Sequence, residues 1–167
     1  CLRALPDSTL RKPLWYARIG EDTLSGPVHG TTALPEDPMV AFRAGRAADV
    51  PVLIGSNRDE FTLFVALQYL RAGRQQAAGE YPGVLADTFG PDASEVGTRY
   101  PLDRFGGSVE SAYAAAVTDG VFACIADEMA GRLATANNVY AYEFNDPNPP
   151  TPEPLRTLPF PVGASHS

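Results

Sequence analysis

A short apolar run that ends in a polar turn and an acid decides which folds are open to this chain. The run covers residues 50–55 (Val-Pro-Val-Leu-Ile-Gly), and a polar stretch that ends at Glu60 follows it directly. A continuous apolar run of this length predicts a parallel strand covered on both faces, since half-exposed strands alternate apolar and polar residues. Catalytic groups collect at the carboxyl ends of such strands. The pattern therefore predicts an α/β sheet with Glu60 at its edge.

The rest of the chain predicts one more strand and many helical pieces. Residues 139–144 (Val-Tyr-Ala-Tyr-Glu-Phe) are dense in the aromatic and β-branched residues that favour strands. Helices are predicted over 5–12, 36–44, 59–70 and 108–136 (with a break near Thr118), shorter helical pieces over 79–107, and loops over 13–35 and the Pro-rich 145–161. Two parallel strands do not form a stable sheet alone. The expected architecture is therefore a helix-rich α/β segment of a larger sheet.

Charge and composition exclude several classes of partner. The net charge of −7 argues against nucleic acid, which requires a basic surface, and against an anionic membrane surface. No apolar run approaches the roughly 20 residues of a membrane-spanning helix, so no membrane partner is expected. Lys12 is the only lysine beside twelve arginines, a bias that favours a bacterial, GC-rich gene.

Six short motifs, in their order and spacing, resemble one protein family. They are Cys-Leu-Arg at 1–3, Gly-Pro-Val-His-Gly at 26–30, Pro-Val-Leu-Ile-Gly-Ser-Asn-Arg-Asp-Glu at 51–60, T-D-x-x-F-x-C at 118–124, V-Y-x-Y-x-F at 139–144 and G-A-x-H at 163–166. The chain resembles the type B carboxylesterases, the cholinesterase-like branch of the α/β-hydrolases, and is similar to bacterial para-nitrobenzyl esterases. Residues 1–167 are then expected to form a single, partial α/β-hydrolase domain, which lacks the nucleophile elbow and the final elements.

The resemblance implies a Ser-Glu-His triad in which this chain supplies two members. Glu60 corresponds to the triad acid and His166 to the base, and the acid precedes the base as in the α/β-hydrolase order. The implied substrate is a small carboxylic ester, and no cofactor or metal is implied. Side chains on the helix after Glu60 (Phe61, Phe64 and Leu67) are candidates to line the acyl or alcohol pocket.

The nucleophile is missing from this sequence. None of the eight serines has glycine two residues before and two residues after it, so no G-x-S-x-G motif is present. The expected function is therefore a segment of a serine ester hydrolase whose isolated chain is inactive and can self-associate through open strand edges. A non-catalytic cholinesterase-like binding or adhesion domain remains the alternative.

The remaining chemistry-bearing residues suggest no second activity. Two histidines and two cysteines give no metal-ligand spacing, and no Walker or G-x-G-x-x-G motif occurs. Cys124 lies in an apolar helical stretch, which predicts a buried free thiol. In disulfide-bearing relatives the equivalents of Cys1 and Cys124 each pair with another partner, so the resemblance implies no bond between these two.

Overall fold

The computed structural model describes residues 28–146 and 148–163. The helix predicted over 5–12, most of the 13–35 loop, Cys1 and His166 lie outside this range. The described residues are rich in helix and contain one pair of strands. In chain order the elements are α1 (Pro38–Arg43), β1 (Val52–Asn57), α2 (Thr62–Ala72), α3 (Tyr81–Phe89), α4 (Ala93–Arg99), α5 (Val109–Val117), α6 (Cys124–Leu133), β2 (Val139–Phe144) and α7 (Glu153–Arg156). Within residues 28–146 and 148–163, three 3₁₀ turns lie at Ala78–Glu80, Gly90–Asp92 and Leu102–Phe105.

The helix boundaries follow from local capping chemistry. The Asp37 side chain accepts a 2.7 Å hydrogen bond from the Met39 amide, and proline occupies the first turn of α1. Gly45 follows α1 with a φ of +67°, the left-handed conformation in which glycine commonly ends a helix. Ser108 caps α5 through a 3.1 Å hydrogen bond from the Ser111 amide. These caps place α1 and α5 within the segments predicted from sequence.

The two strands are parallel and directly paired. Val52 pairs with Val139 and the register continues to Asn57 and Phe144. β2 has its predicted bounds, whereas β1 begins and ends two residues later than the apolar run. The strand was expected to be covered on both faces, and this is wrong for the part of the chain that the structure describes. Helix α6 packs against both strands, but Leu53, on β1, is 72% exposed.

Helices α5 and α6 form one continuous rod, Val109–Leu133. A break was predicted near Thr118, but the helix continues through a π-helical segment, Thr118–Ala123, that accommodates the irregular position. By length and composition the 25-residue rod could cross a membrane, which is weak evidence because core helices of soluble proteins meet the same criterion. Several α5 side chains, including Val109 and Val117, are buried in the core. The absence of a membrane partner stays a prediction.

The core lies between α2, α5 and the segment that precedes residue 163. One cluster of buried side chains joins these three elements: Phe61, Val65, Ala66, Ala114, Val117, Phe160 and Val162. A second cluster joins α3 to the start of α5: Tyr81, Leu85, Val109 and Ala112. The first cluster bears on the site, because residues of both the turn after β1 and the segment before residue 163 pack into it.

Candidate active site

Glu60 lies in the turn between β1 and α2, at the carboxyl end of a parallel strand. One of its carboxylate oxygens, Oε1, accepts a 2.7 Å hydrogen bond from the backbone amide of Asn57, the last residue of β1. The side chain is half-buried. Helix α2 begins only at Thr62, so Glu60 belongs to the turn rather than to the first helical turn. The strand end therefore holds the carboxylate by a short bond to its own backbone.

The residue after Glu60 is anchored in the core. Phe61 is 2% exposed, and its amide donates a 3.0 Å hydrogen bond to the hydroxyl of the buried Thr118, at the start of the π-helical segment. Its ring stacks on Phe64 at 5.1 Å and meets the edge of Tyr113 at 5.7 Å. The main chain on the C-terminal side of Glu60 is thus fixed by a polar contact and by two rings.

This packing corrects one expectation about substrate contacts. Phe61 and Phe64 were expected to line a substrate pocket, together with Leu67. Phe61 is instead a core residue, and Phe64 packs against the same cluster. A cleft of about 770 Å³ does lie beside the turn, but its walls are Arg58, Asp59 and Thr62, α5, and residues between 148 and 163. None of the three predicted side chains lines it.

The C-terminal segment runs directly alongside the turn that carries Glu60. The hydroxyl of Thr62 donates to the carbonyl oxygen of Val162 and lies 2.7 Å from the carbonyl oxygen of Asp59. Gly163 lies against the Asp59 carboxylate, since a Cβ added to this glycine would be 2.8 Å from Asp59 Cγ. Its φ of +61° is a left-handed conformation that favours glycine. Residues on both sides of Glu60 therefore contact the segment that leads to His166.

His166 lies outside the described residues, and the chain before it limits its reach. It follows Gly163 by three residues, which span at most about 11 Å when fully extended. The predicted partnership of Glu60 and His166 stays a prediction.

Asp59, beside Glu60, is engaged in a structural ion pair. Arg58 Nη2 lies 2.6 Å from Asp59 Oδ2, and Arg58 Nη1 donates a 2.6 Å hydrogen bond to the side-chain oxygen of Asn145. The hydrogen bond to Asp59 raises the pKa of the Arg58 guanidinium above its ordinary value. Arg58 therefore links Asp59 to Asn145, the residue that follows β2. Glu60 has no ion-pair partner among the described residues.

Two further expectations concern a thiol and metal binding. Cys124 was expected to be buried, but it is an exposed free thiol at the start of α6. It lies on the side of the rod that faces away from the core, which the apolar sequence around it did not reveal. Within residues 28–146 and 148–163, no group of three His, Cys, Asp or Glu side chains could hold a metal ion. The absence of a cofactor stays a prediction.

Sequence patterns missed the residues that connect the site. Thr62 contacts Val162 across 100 residues of sequence, and Thr118 contacts Phe61 across 57. The only signals were indirect ones: Thr118 begins the T-D-x-x-F-x-C motif, and Gly163 begins the G-A-x-H motif.

Comparison with known proteins gives two findings. A family model described as the carboxylesterase family matches residues 1–167. The chain is also similar to a protein named "Crystal protein" from Dictyostelium discoideum, with 28% identity over 125 residues. The aligned region covers 73% of this chain and 22% of that protein, so the chain spans about a fifth of the length of the curated relative it matches.

Proposed function

Because the chain belongs to the carboxylesterase family, we propose that it is the acid- and base-bearing segment of a carboxylic ester hydrolase. Membership of this family implies an α/β-hydrolase fold, and a helix-rich segment with one parallel strand pair is consistent with part of that fold. The proposed reaction is acyl transfer through a Ser-Glu-His triad, with Glu60 as the acid and His166 as the base. The serine would come from outside these 167 residues.

One observation carries this proposal: the contact between the Glu60 turn and the segment that ends three residues before His166. Val162 is bonded to Thr62, and Gly163 lies against Asp59. A triad acid has to hold the imidazole in one tautomer and stabilise its cation, so both groups have to come from rigid, adjacent pieces of chain. The buried Phe61 and the Asn57 amide supply that rigidity on the acid side.

The proposed mechanism assigns each group one task. His166 accepts the proton of the serine hydroxyl as its oxygen attacks the ester carbonyl carbon, and then gives the proton to the departing alcohol. Water repeats the sequence on the acyl-enzyme and releases the carboxylic acid. Throughout, the negative charge of Glu60 favours the imidazolium form of His166. The substrate in the complete enzyme is a small carboxylic ester, as in the para-nitrobenzyl esterases that the chain resembles.

The coding sequence around this segment tests the proposal. A G-x-S-x-G motif after an apolar strand, upstream of the codon for Cys1, would support it because this is the order of α/β-hydrolase elements. The same motif with its serine replaced would support the alternative, a non-catalytic cholinesterase-like binding domain. The name of the Dictyostelium relative, "Crystal protein", states no enzymatic activity, which is compatible with that alternative. A start codon directly before Cys1 would overturn the proposal.

The isolated 167-residue chain is expected to be catalytically inactive. It contains no G-x-S-x-G serine, so His166 has no activated hydroxyl to deprotonate. Release of para-nitrophenol from para-nitrophenyl acetate is the measurement, with His166→Asn as the matched control for slow hydrolysis by a surface imidazole. Saturable turnover above that control would contradict the expectation.

The isolated chain is also expected to self-associate through its sheet. Leu53 and Tyr140 are register partners on one face and are 72% and 64% exposed, a combination that favours association. Sedimentation velocity over a range of protein concentrations should show dimers or larger species. Leu53→Lys should shift the distribution towards monomer, whereas Ile125→Lys, an exposed apolar position on α6, should not. A single monomeric species at every concentration would refute this expectation.

A further inference from the structure

The hydroxyl of Thr118 joins the long helical rod to the chain directly after Glu60. The backbone amide of Phe61 donates a 3.0 Å hydrogen bond to Thr118 Oγ1, and the two residues are 2% and 1% exposed. Phe61 is the N-cap of α2, so its amide precedes the helical hydrogen bonds and has no acceptor within the helix. Thr118 therefore supplies, in the buried core, an acceptor that α2 itself cannot provide.

Thr118 lies where the rod changes from α-helix to π-helix. It is the first residue of the π-helical segment, and short segments of this kind are frequent at functional sites. The next residue, Asp119, is exposed, and its Oδ2 accepts a 2.5 Å hydrogen bond from the hydroxyl of Tyr100. Partial burial and this bond raise the pKa of Tyr100 to about 12, so the hydroxyl remains a donor at neutral pH. The irregular point of the rod is thus anchored on its solvent side as well.

The bond to Thr118 fixes one peptide plane beside the acid. The Phe61 amide belongs to the peptide that joins Glu60 to Phe61, and a peptide is planar, so the direction of its N–H also sets the Glu60 Cα. The Phe61 ring packs against Phe64 and Tyr113, but apolar packing is non-directional and tolerates rotation. A hydrogen bond weakens steeply when its angle or length changes. The Thr118 bond is therefore a contact that orients the main chain of Glu60.

We propose that Thr118 is a positioning residue, which holds the Glu60–Phe61 peptide and thereby keeps the Glu60 carboxylate against the Asn57 amide. This inference rests on the proposed function, in which Glu60 is the triad acid. Thr118 touches no reacting atom and acts only through Glu60. Placement of this kind matters because a displacement of about 1 Å in an active site can cost about 100-fold in rate.

The first test follows the Asn57 amide proton by NMR as the pH is lowered, in the 167-residue chain at a concentration where it is monomeric. This amide donates a 2.7 Å bond to Glu60 Oε1, so protonation of the carboxylate weakens the bond and shifts the signal. Glu60→Gln does not titrate and should abolish the shift, which identifies its source. Thr118→Val should remove most of the shift, because the carboxylate no longer keeps its place at the amide. Thr118→Ser, which retains the hydroxyl, should restore it.

A matched control separates positioning from a merely structural role. Val109→Ala removes methyl groups from the second core cluster, so it should lower the midpoint of urea unfolding and leave the Asn57 amide shift as in wild type. Thr118→Val should also lower that midpoint, because it leaves a buried amide without an acceptor. The other charged groups near the strand end are Arg58, Asp59 and Glu143, and the series alters none of them. Should Thr118→Val fail to fold, Thr118→Ala removes the hydroxyl without placing a methyl group at the amide, and the same comparisons apply.

The second test is a double-mutant cycle in the complete enzyme that contains this segment. Thr118→Val should lower kcat by about 10- to 100-fold with little change in KM, and should have no further effect in the Glu60→Gln background. If Glu60→Gln retains the wild-type kcat, the proposed acid is wrong and the role of Thr118 falls with it. If Glu60→Gln loses activity but Thr118→Val keeps the Asn57 shift, or lowers kcat by the same factor in both backgrounds, the proposed function stands and the role of Thr118 is refuted.

Discussion

Replacing Glu60 with Gln is expected to lower kcat for ester hydrolysis by about 10⁴-fold in the complete enzyme that contains this segment. Gln has nearly the same size as Glu, and its side-chain oxygen can still accept the hydrogen bond from the Asn57 amide. What it removes is the negative charge that stabilises the imidazolium and selects its tautomer. The loss should therefore appear in kcat, with KM changed little, because in the proposed mechanism Glu60 acts on His166 rather than on the substrate.

A matched substitution shows whether this effect belongs to the site. Glu95→Gln makes the same chemical change on α4, where the carboxylate is exposed and paired with Arg99 one helical turn away. Its kcat and KM should equal those of the wild type. Activity of Glu60→Gln at the level of Glu95→Gln would contradict the assignment of Glu60 as the triad acid.

Replacing Gly55 with Ala is expected to lower the free energy of unfolding by about 3 kcal/mol, since over-packing a tight site costs up to this amount and occasionally more. Gly55 pairs with Tyr142 across the two strands. A Cβ at position 55 would overlap with the Tyr142 carbonyl oxygen and lie 2.7 Å from the Cδ1 atom of its ring. The ring can turn aside, but the backbone carbonyl is part of the strand, so the strand pair itself has to move apart.

The control for this prediction is another glycine in a regular element. Gly131 lies inside α6 and a Cβ there would meet nothing within 4 Å. Gly131→Ala should stabilise the chain by about 1 kcal/mol, because alanine is the better helix former. Urea denaturation at a protein concentration where the wild type is monomeric gives both values. Equal stability of Gly55→Ala and wild type would show that the strand pairing described for β1 and β2 is wrong.

The apolar pattern predicted both strands, but it predicted the exact bounds of only one of them. β2 begins and ends at its predicted residues, Val139 and Phe144. β1 extends two residues beyond its apolar run because Ser56 and Asn57 still pair with Glu143 and Phe144. Backbone hydrogen bonds do not depend on side-chain polarity, so an apolar run cannot mark where a ladder ends.

The position of the irregularity in the long helix was predicted correctly, but its type was not. A break was expected near Thr118, where a helical run meets Asp119 and Gly120. The helix instead continues through a π-helical segment, and the Thr118 hydroxyl at its start accepts a hydrogen bond from the Phe61 amide. Polar residues and glycine indicate a weak point in a helix, but tertiary packing decides between a break and a bulge.

The site could be predicted only in part, for a physical reason. The position of Glu60 at a strand end was predicted because an apolar run and an acid lie close together in sequence, whereas its role as the triad acid is what the family resemblance implies. The contacts that brace its turn join residues far apart in the chain, as Thr62 and Val162 do. Hydrophobic periodicity reports on one element at a time, so it carries no information on which hydroxyl meets which carbonyl across the core.

Titration of the His166 imidazole in wild type and in Glu60→Gln, with His29→Gln in both chains, is the decisive measurement. If the two residues form the proposed acid–base pair, His166 titrates above the ordinary histidine pKa of about 6.5 in wild type and falls by on the order of one unit in Glu60→Gln. A His166 pKa that is ordinary in wild type and unchanged by Glu60→Gln would contradict the pairing, and with it the assignment of this chain as the acid- and base-bearing segment of an esterase.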